Sequence, residues 1–338
     1  MTFSECAEKW YKRSICGTTY DYQIEILNTI KNLNKYIGNI EMKDLTWLDV
    51  EDVILSYARY NPRTKQPSSQ RLLVDLRNVS YNVCEYAIDA NEIVNNPVRR
   101  KKLPKSKPAK TRRPLTEEER GYVFNTYHRL RLPALIMLFC GLRPNEVIPL
   151  EFTDFVVPYP DKKTMILKIT KSVSKVSTNE YIIKPGTKNG KSRTVTVPSA
   201  LAEIIIEEEK KTDNNLITTQ KNGNLHTPSS WKSAWKSYQN ALNYTAYCLK
   251  GGTEGYYSPK KIPRNTNHIT AYMFRHTYAT MLYSSGVDIL TASKLMGHSE
   301  IKTTLKVYTH LEEAMSIKNI NKFENYINDN YSIILENL

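Results

Sequence analysis

Between Ala271 and Tyr308 the chain sets an arginine, a histidine and a tyrosine, Arg275, His298 and Tyr308, inside one short run. These residue types suit phosphoryl transfer. A phosphodiester carries charge on two non-bridging oxygens and gains more in its transition state, so a catalyst needs fixed cations with forked donors, which arginine supplies better than lysine. A tyrosine hydroxyl can attack phosphorus only when its proton, with an ordinary pKa of about 10, is removed or drawn off by a cationic surrounding. A second arginine and a general acid would complete the set, and both stand upstream. The apolar run from Pro133 to Cys140 leads through Gly141 to Arg143, with Glu146 placed to hold that guanidinium. Lys188 lies between two strand-like runs, Glu180 to Lys184 and Thr194 to Val197, beside Asn189-Gly190, a strong hairpin signal. It is therefore expected near a hairpin tip, within reach of a leaving oxygen.

Local signals supply the elements that must position these groups. Phe274, Tyr278, Met281 and Leu282 recur at near-helical spacing until Gly286 stops the helix, which puts Arg275 in its first turns. Asp288 is an N-cap for a second helix, Ile289 to Met296, ended by Gly297, so His298 follows a helix terminus directly. Ser299 can cap a third, with Glu300 in its first turn and Ile301, Leu305 and Tyr308 on one side. Two tight joints thus bring the three polar side chains within folding distance.

Five segments in order, GLRPNEV, TKNGKSRTVTVP, AYMFRHTYAT, LMGHSEIKTT and VYTH, resemble the motifs of the tyrosine recombinases, the phage-integrase family. The resemblance runs from Leu115 to His310, and the first hundred residues resemble the family's core-binding domain. It implies that Arg143 and Arg275 clamp the phosphate, that Lys188 is the acid for the departing 5′ oxygen, that His298 is a supporting donor and that Tyr308 is the nucleophile. Glu146 supports Arg143. One position departs: the family usually has histidine, sometimes lysine, three residues before the second arginine, and here it is Tyr272. Tyr272 can donate to a phosphate oxygen but is a weak base at neutral pH unless the arginines lower its pKa.

The composition sets outer bounds. At 338 residues the chain can bury two cores, and its net charge of +14 calls for a polyanionic partner. No apolar run approaches the roughly 20 residues of a membrane span, and the acidic, amphipathic start is unlike a signal peptide. The expected setting is cytoplasmic, nucleoid-associated when bound. Five scattered cysteines read as reduced core thiols, and six histidines show no metal-ligand spacing, so neither a metal nor any other cofactor is expected.

The expected fold is mainly α with a small antiparallel β-sheet, in two domains. Residues 1–98 read as a helical core-binding domain. Phe3, Cys6, Ala7 and Trp10 share one helical face; Tyr22, Ile26, Ile30 and Leu33 share a second. Thr46 with Asp49 caps a third helix, and a fourth runs from about Pro67 to Ala90 with Leu72, Val79, Val83 and Ala87 inward. Residues 99–114 form a basic, proline-punctuated linker. Its cations, Arg99, Arg100, Lys101, Lys102, Lys105, Lys107, Lys110, Arg112 and Arg113, are candidate DNA phosphate contacts. Residues 115–310 read as the α+β catalytic domain, opened by a Thr116/Glu119 capping box, with a sheet from Met165 to Val197 and Trp231 and Trp235 in its core. Residues 311–338 read as an amphipathic tail helix exchanged between protomers, as the resemblance implies.

Taken singly, each site residue has a plainer role: with 23 tyrosines present, Tyr308 alone would be structural, Lys188 a hairpin lysine and Arg143 a helix-end cation. Their joint, ordered occurrence carries the functional reading. The expectation is a site-specific recombinase that cuts and rejoins double-stranded DNA at short core sites through a 3′-phosphotyrosyl intermediate. It would be the integrase or excisionase of a mobile element or prophage, with no N-terminal arm-site domain. It would be monomeric when free and a homotetramer on paired sites, without membrane contact and with a DNA-bending accessory factor as an optional partner. The alternatives are an Xer-type dimer resolvase, a type IB topoisomerase-like nicking-closing enzyme, and a non-catalytic DNA-binding protein on the same scaffold.

Overall fold

The structure, a computed structural model, describes residues 1–99, 101–107, 113–157, 165–186, 190–253 and 262–308, with only the backbone described at 306–308. The chain divides into two compact units, residues 1–111 with the short piece 175–177, and the remainder. Among the described residues no helix is long and apolar enough to cross a membrane.

The first unit is built on four helices, α1 (Phe3–Ser14), α2 (Tyr20–Ile37), α3 (Trp47–Arg59) and α4 (Gln70–Asp89). Capping boxes open α1 and α3, where Thr2 and Glu5, and Thr46 and Asp49, satisfy each other's orphan backbone N–H groups. Helix α4 starts at Ser69, whose hydroxyl accepts from Leu72 N–H, rather than near Pro67. Phe3, Leu33, Val50, Leu73, Leu76 and Val83 are among the residues that fill the core. The expected face of α2 begins one turn later than the sequence suggests: Tyr22 is 48% exposed, and the buried stripe runs Ile26, Thr29, Ile30, Leu33, Ile37.

Part of the expected linker is not a free tether. Val98 is buried in the helical core and Leu103 packs against it. The Ser106 hydroxyl donates to the Ser68 carbonyl at 2.6 Å and its N–H to Gln70 Oε1 at 3.0 Å. Val98 and Leu103, on either side of the first four basic residues, and the Ser106 bonds lay this stretch on the unit, while Arg99, Lys101, Lys102, Lys105 and Lys107 stay exposed.

In the second unit, α5 (Glu117–Asn125) is opened by the Thr116/Glu119 box, and α6 (Arg131–Cys140) is buried along almost its whole length. A single turn, α7 (Pro144–Val147), follows. Strands β1 (Phe155–Val156), β2 (Met165–Ile169) and β5 (Arg193–Val197) form one antiparallel sheet in the order β1-β2-β5. Strands β3 (Lys171–Ser177) and β4 (Glu180–Pro185) form a second, two-stranded sheet. Helices α8 (Ser199–Glu209), α9 (Pro228–Leu249), α10 (Ala271–Ser284), α11 (Ile289–Met296) and α12 (Ile301–Tyr308) complete it. Trp231 and Trp235 are in the core as expected, with Trp235 packed edge-on against Phe274 of α10 at 5.6 Å between ring centroids.

Among the described residues the single expected sheet is two, and β4 and β5, the strands on either side of the expected hairpin tip, belong to different sheets. The cause is burial. β5 turns Val195 and Val197 inward and matches them to Leu167 and Met165 of β2, whereas β4 is exposed along nearly all its length and pairs with β3. Lys188 itself and the whole expected tail, 311–338, lie outside the described residues.

Candidate active site

Helix α6 ends at Gly141, which adopts the left-handed conformation with φ 68°. A Cβ there would overlap the Tyr278 ring of α10, so glycine is needed both for the turn and for the close approach of the two helices. The reversal delivers Arg143 to the N-cap of α7, with Pro144 at its first position. Glu146, in the same short turn, is 1% exposed.

A carboxylate so buried is stable only if it is fully hydrogen-bonded and paired. Glu146 Oε1 accepts from Arg143 Nη1 at 2.8 Å and from Arg193 Nη1 at 3.0 Å. Its Oε2 accepts from the Arg143 backbone N–H and from Arg193 Nη2, both at 2.8 Å. Burial alone would raise this carboxyl, but the Arg193 fork, the Arg193 charge, and the backbone N–H and charge of Arg143 outweigh it and hold the group at about 2.

Three arginines meet at this carboxylate, and each also grips the C-terminus of α11. Arg193 Nε donates to the Leu295 carbonyl at 2.9 Å, Arg275 Nη2 to that of Met296, and Arg143 Nη2 to that of Gly297 at 2.8 Å. Those carbonyls are groups a helix end leaves without an internal partner, at the negative pole of its dipole. Arg275, 5% exposed, also donates from Nη1 to the Gly141 carbonyl at 2.6 Å, and its Nη1 lies 3.9 Å from Glu146 Oε2. Burial and then the Arg143 charge bring its guanidinium down to about 9, so it stays charged at pH 7. Three guanidiniums against one carboxylate leave a net positive, partly enclosed site.

His298 follows directly. Gly297 turns the chain with φ 61°, and the His298 N–H closes the helix end on the Ser293 carbonyl at 3.1 Å. Nδ1 of His298 lies 2.8 Å from Oγ1 of Thr304 on α12. Burial, followed by the charges of Arg275, Arg143 and Arg193, pushes this imidazole down to about 4, so it is neutral at pH 7. Tyr272 sits in the first turn of α10, three residues before Arg275, and is 39% exposed.

The structure thus brings together Arg143, Glu146, Arg275 and His298, sets Tyr272 on the same helix as Arg275, and carries α12 as far as Tyr308, whose side chain lies outside the described residues. Helix α12 opens at Ile301, so Glu300 precedes it rather than filling its first turn. Arg193 belongs to the site although the sequence does not single it out. It occupies the inward parity of β5, in register with Ile169 and two residues before Val195, where an arginine demands a buried acid. Among the basic candidates, Arg113 is engaged in a fork on buried Glu119, 2.6 Å from each oxygen. Arg100, Lys110 and Arg112 lie outside the described residues.

Comparison with known proteins places the chain among its relatives. A XerC-like tyrosine recombinase of Caldanaerobacter subterraneus subsp. tengcongensis is 27% identical over 306 residues, spanning 82% of this chain and 71% of its own length. Transposase A from transposon Tn554 of Staphylococcus aureus is 26% identical over 219 residues, 62% of this chain and 52% of that protein. In fold, the chain is similar to the Tn1549 transposon integrase solved with a circular intermediate DNA, with a TM-score of 0.69 at 17% identity over 91% of this chain and 95% of that one. The sequence pattern that defines the phage integrase family matches residues 115–315, a span that holds the arginines, the buried glutamate, the histidine and Tyr308 alike, and to that family of tyrosine recombinases the chain belongs.

Proposed function

We propose that the protein is the site-specific recombinase of a mobile element, cutting and rejoining double-stranded DNA at short core sites. What supports this most is the cluster in which Glu146 fixes Arg143 and Arg193 while Arg143 and Arg275 keep further N–H groups for an anion. Fixed forked cations in a partly enclosed site stabilise charge where it develops on a phosphodiester, without reorganisation during the reaction.

In the proposed mechanism Arg143 and Arg275 take the non-bridging oxygens and His298 donates to one of them. The Tyr308 oxygen attacks phosphorus as its proton passes to solvent water, the cationic site favouring the phenolate. A 3′-phosphotyrosyl bond forms, the bond to the 5′ oxygen breaks, and Lys188 protonates that oxygen. A 5′ hydroxyl of the partner strand then reverses the step. The phosphotyrosyl ester conserves the energy of the original bond, so rejoining draws on no nucleotide. Exchange between two duplexes needs four cleavages, so the proposal includes a homotetramer on paired sites, assembled from monomers, and leaves room for a DNA-bending factor.

The test is a duplex nicked beside the scissile phosphate, which loses its short 5′ end on cleavage and traps the covalent complex. Arg143→Ala should bind this DNA normally yet form adduct more slowly by on the order of 1,000-fold. Near-normal trapping by this variant would refute the clamp.

A further inference from the structure

The hydroxyl of Thr304 is used differently from those of Thr29, Thr277 and Thr280. Thr29, Thr277 and Thr280 each donate back one turn, to the carbonyls of Glu25, Met273 and His276. Thr304 is 0% exposed, and its hydroxyl meets the ring nitrogen Nδ1 of His298 instead, at 2.8 Å. No such backward bond of Thr304 is present among the described residues. A fully buried hydroxyl has to place its proton. Donation to the Nδ1 lone pair does so; acceptance from an Nδ1–H would leave the hydroxyl proton in need of another acceptor.

The surroundings of the ring point the same way. Burial and the nearby arginines favour the neutral imidazole, which carries one N–H. If Nδ1 accepts, that N–H is on Nε2. Thr304 also stands on α12 four residues, or one helical turn, before Tyr308.

We propose that Thr304 is a positioning residue: its hydroxyl donates to His298 Nδ1, fixes the ring as the Nε2–H form, and ties that neutral donor to the helix that ends in Tyr308. The role rests on the recombinase reading above, in which Nε2–H serves a non-bridging phosphate oxygen. It gives α12 a means of registering the nucleophile helix against the phosphate site, since the same hydrogen bond orients the donor and holds the helix.

The test uses the full chain with 15N-labelled histidine. In the unliganded wild type, the ring nitrogens of His298 should show a protonated Nε2 and a bare, hydrogen-bonded Nδ1 at neutral pH. Thr304→Ser should keep this signature and cleave a nicked substrate within a few-fold of wild type. Thr304→Val, of similar shape, should lose the fixed tautomer and slow cleavage by on the order of 10 to 100-fold with DNA affinity unchanged. A proton found on Nδ1 in the wild type overturns the proposal. So does a Val variant that cleaves normally, or a Ser variant as impaired as Val. Should the Val variant not fold, the tautomer of the wild type and the Ser variant decides. A wild type with protonated Nε2 that forms no covalent complex sinks the recombinase reading, and with it this role, while leaving the hydrogen bond itself in place.

Discussion

At the scale of single residues, the site is organised by one acid. Glu146 has both oxygens occupied twice over, so Glu146→Gln removes the charge that Arg143 and Arg193 share and replaces two acceptors by one acceptor and an opposed N–H. Breaking a buried pair from one side costs about 3–5 kcal/mol, which thermal melting would read as a large drop. The pH dependence has a definite sign. Glu146 titrates at about 2 in the folded chain and near its ordinary, higher value when unfolded, so between these the unfolded state binds the extra proton. Its contribution is therefore complete above that ordinary value and lost as pH falls toward 2. His298, at about 4 when folded against an ordinary 6.5, also binds its proton first in the unfolded chain, so stability declines as pH falls from 6.5 to 4 as well. Melting followed against pH should show both windows in the wild type, and Glu146→Gln should lose the lower one. Arg193→Lys, which cannot span both carboxylate oxygens and the Leu295 carbonyl, should keep DNA binding and lower single-turnover cleavage by on the order of ten-fold or more. Unchanged cleavage would show that Arg143 needs no such brace.

At the scale of elements, two left-handed glycines place the site. Gly141 reverses α6 into Arg143, and Gly297 ends α11 before His298. A Cβ at Gly297 would lie 3.0 Å from Arg193 Cδ as well as carry the strain of positive φ. Gly297→Ala should therefore destabilise by about 1–2 kcal/mol from the backbone alone and displace Arg193, which a melting curve and a cleavage assay on the same preparation would show together. Helix ends are the most legible feature of the sequence. Thr46, Thr116, Asp288 and Gly297 cap where their side chains and conformations say they should, because capping is a local contest between one side chain and a few N–H groups. The hairpin signal at Asn189-Gly190 misleads because turn chemistry is local while strand pairing is not. Met165 and Leu167, nearly thirty residues upstream, are the buried partners that β5 takes, while β4 stays exposed. Arg193 is hidden for the same reason, since its inward parity becomes visible only once β5 is paired to β2.

At the scale of the whole molecule, charge and motif order reveal more than any single segment. The net charge of +14 and the ordered motifs are plain in the sequence, whereas the basic stretch after Val98 looks like a free tether and its described part, around Leu103 and Ser106, lies on the helical unit. Its lysines dominate the composition, and the packing of Val98 and Leu103 depends on a core that only the folded helices create. Exposed Lys101, Lys102 and Lys105 should each release counterions on DNA binding if they meet phosphates. Replacing all three by alanine should weaken binding across sequences and flatten the salt dependence by about 0.9 for each phosphate no longer neutralised; an unchanged slope would assign them to solvent. The whole reading turns on one phenol, at the end of α12, becoming joined to DNA. To observe this, the wild-type complex is trapped on nicked duplex and digested, and the nucleotide-bearing peptide is located by mass. The adduct is expected on Tyr308, with none in Tyr308→Phe. An adduct on another of the chain's tyrosines, or one that survives the phenylalanine substitution, would contradict it.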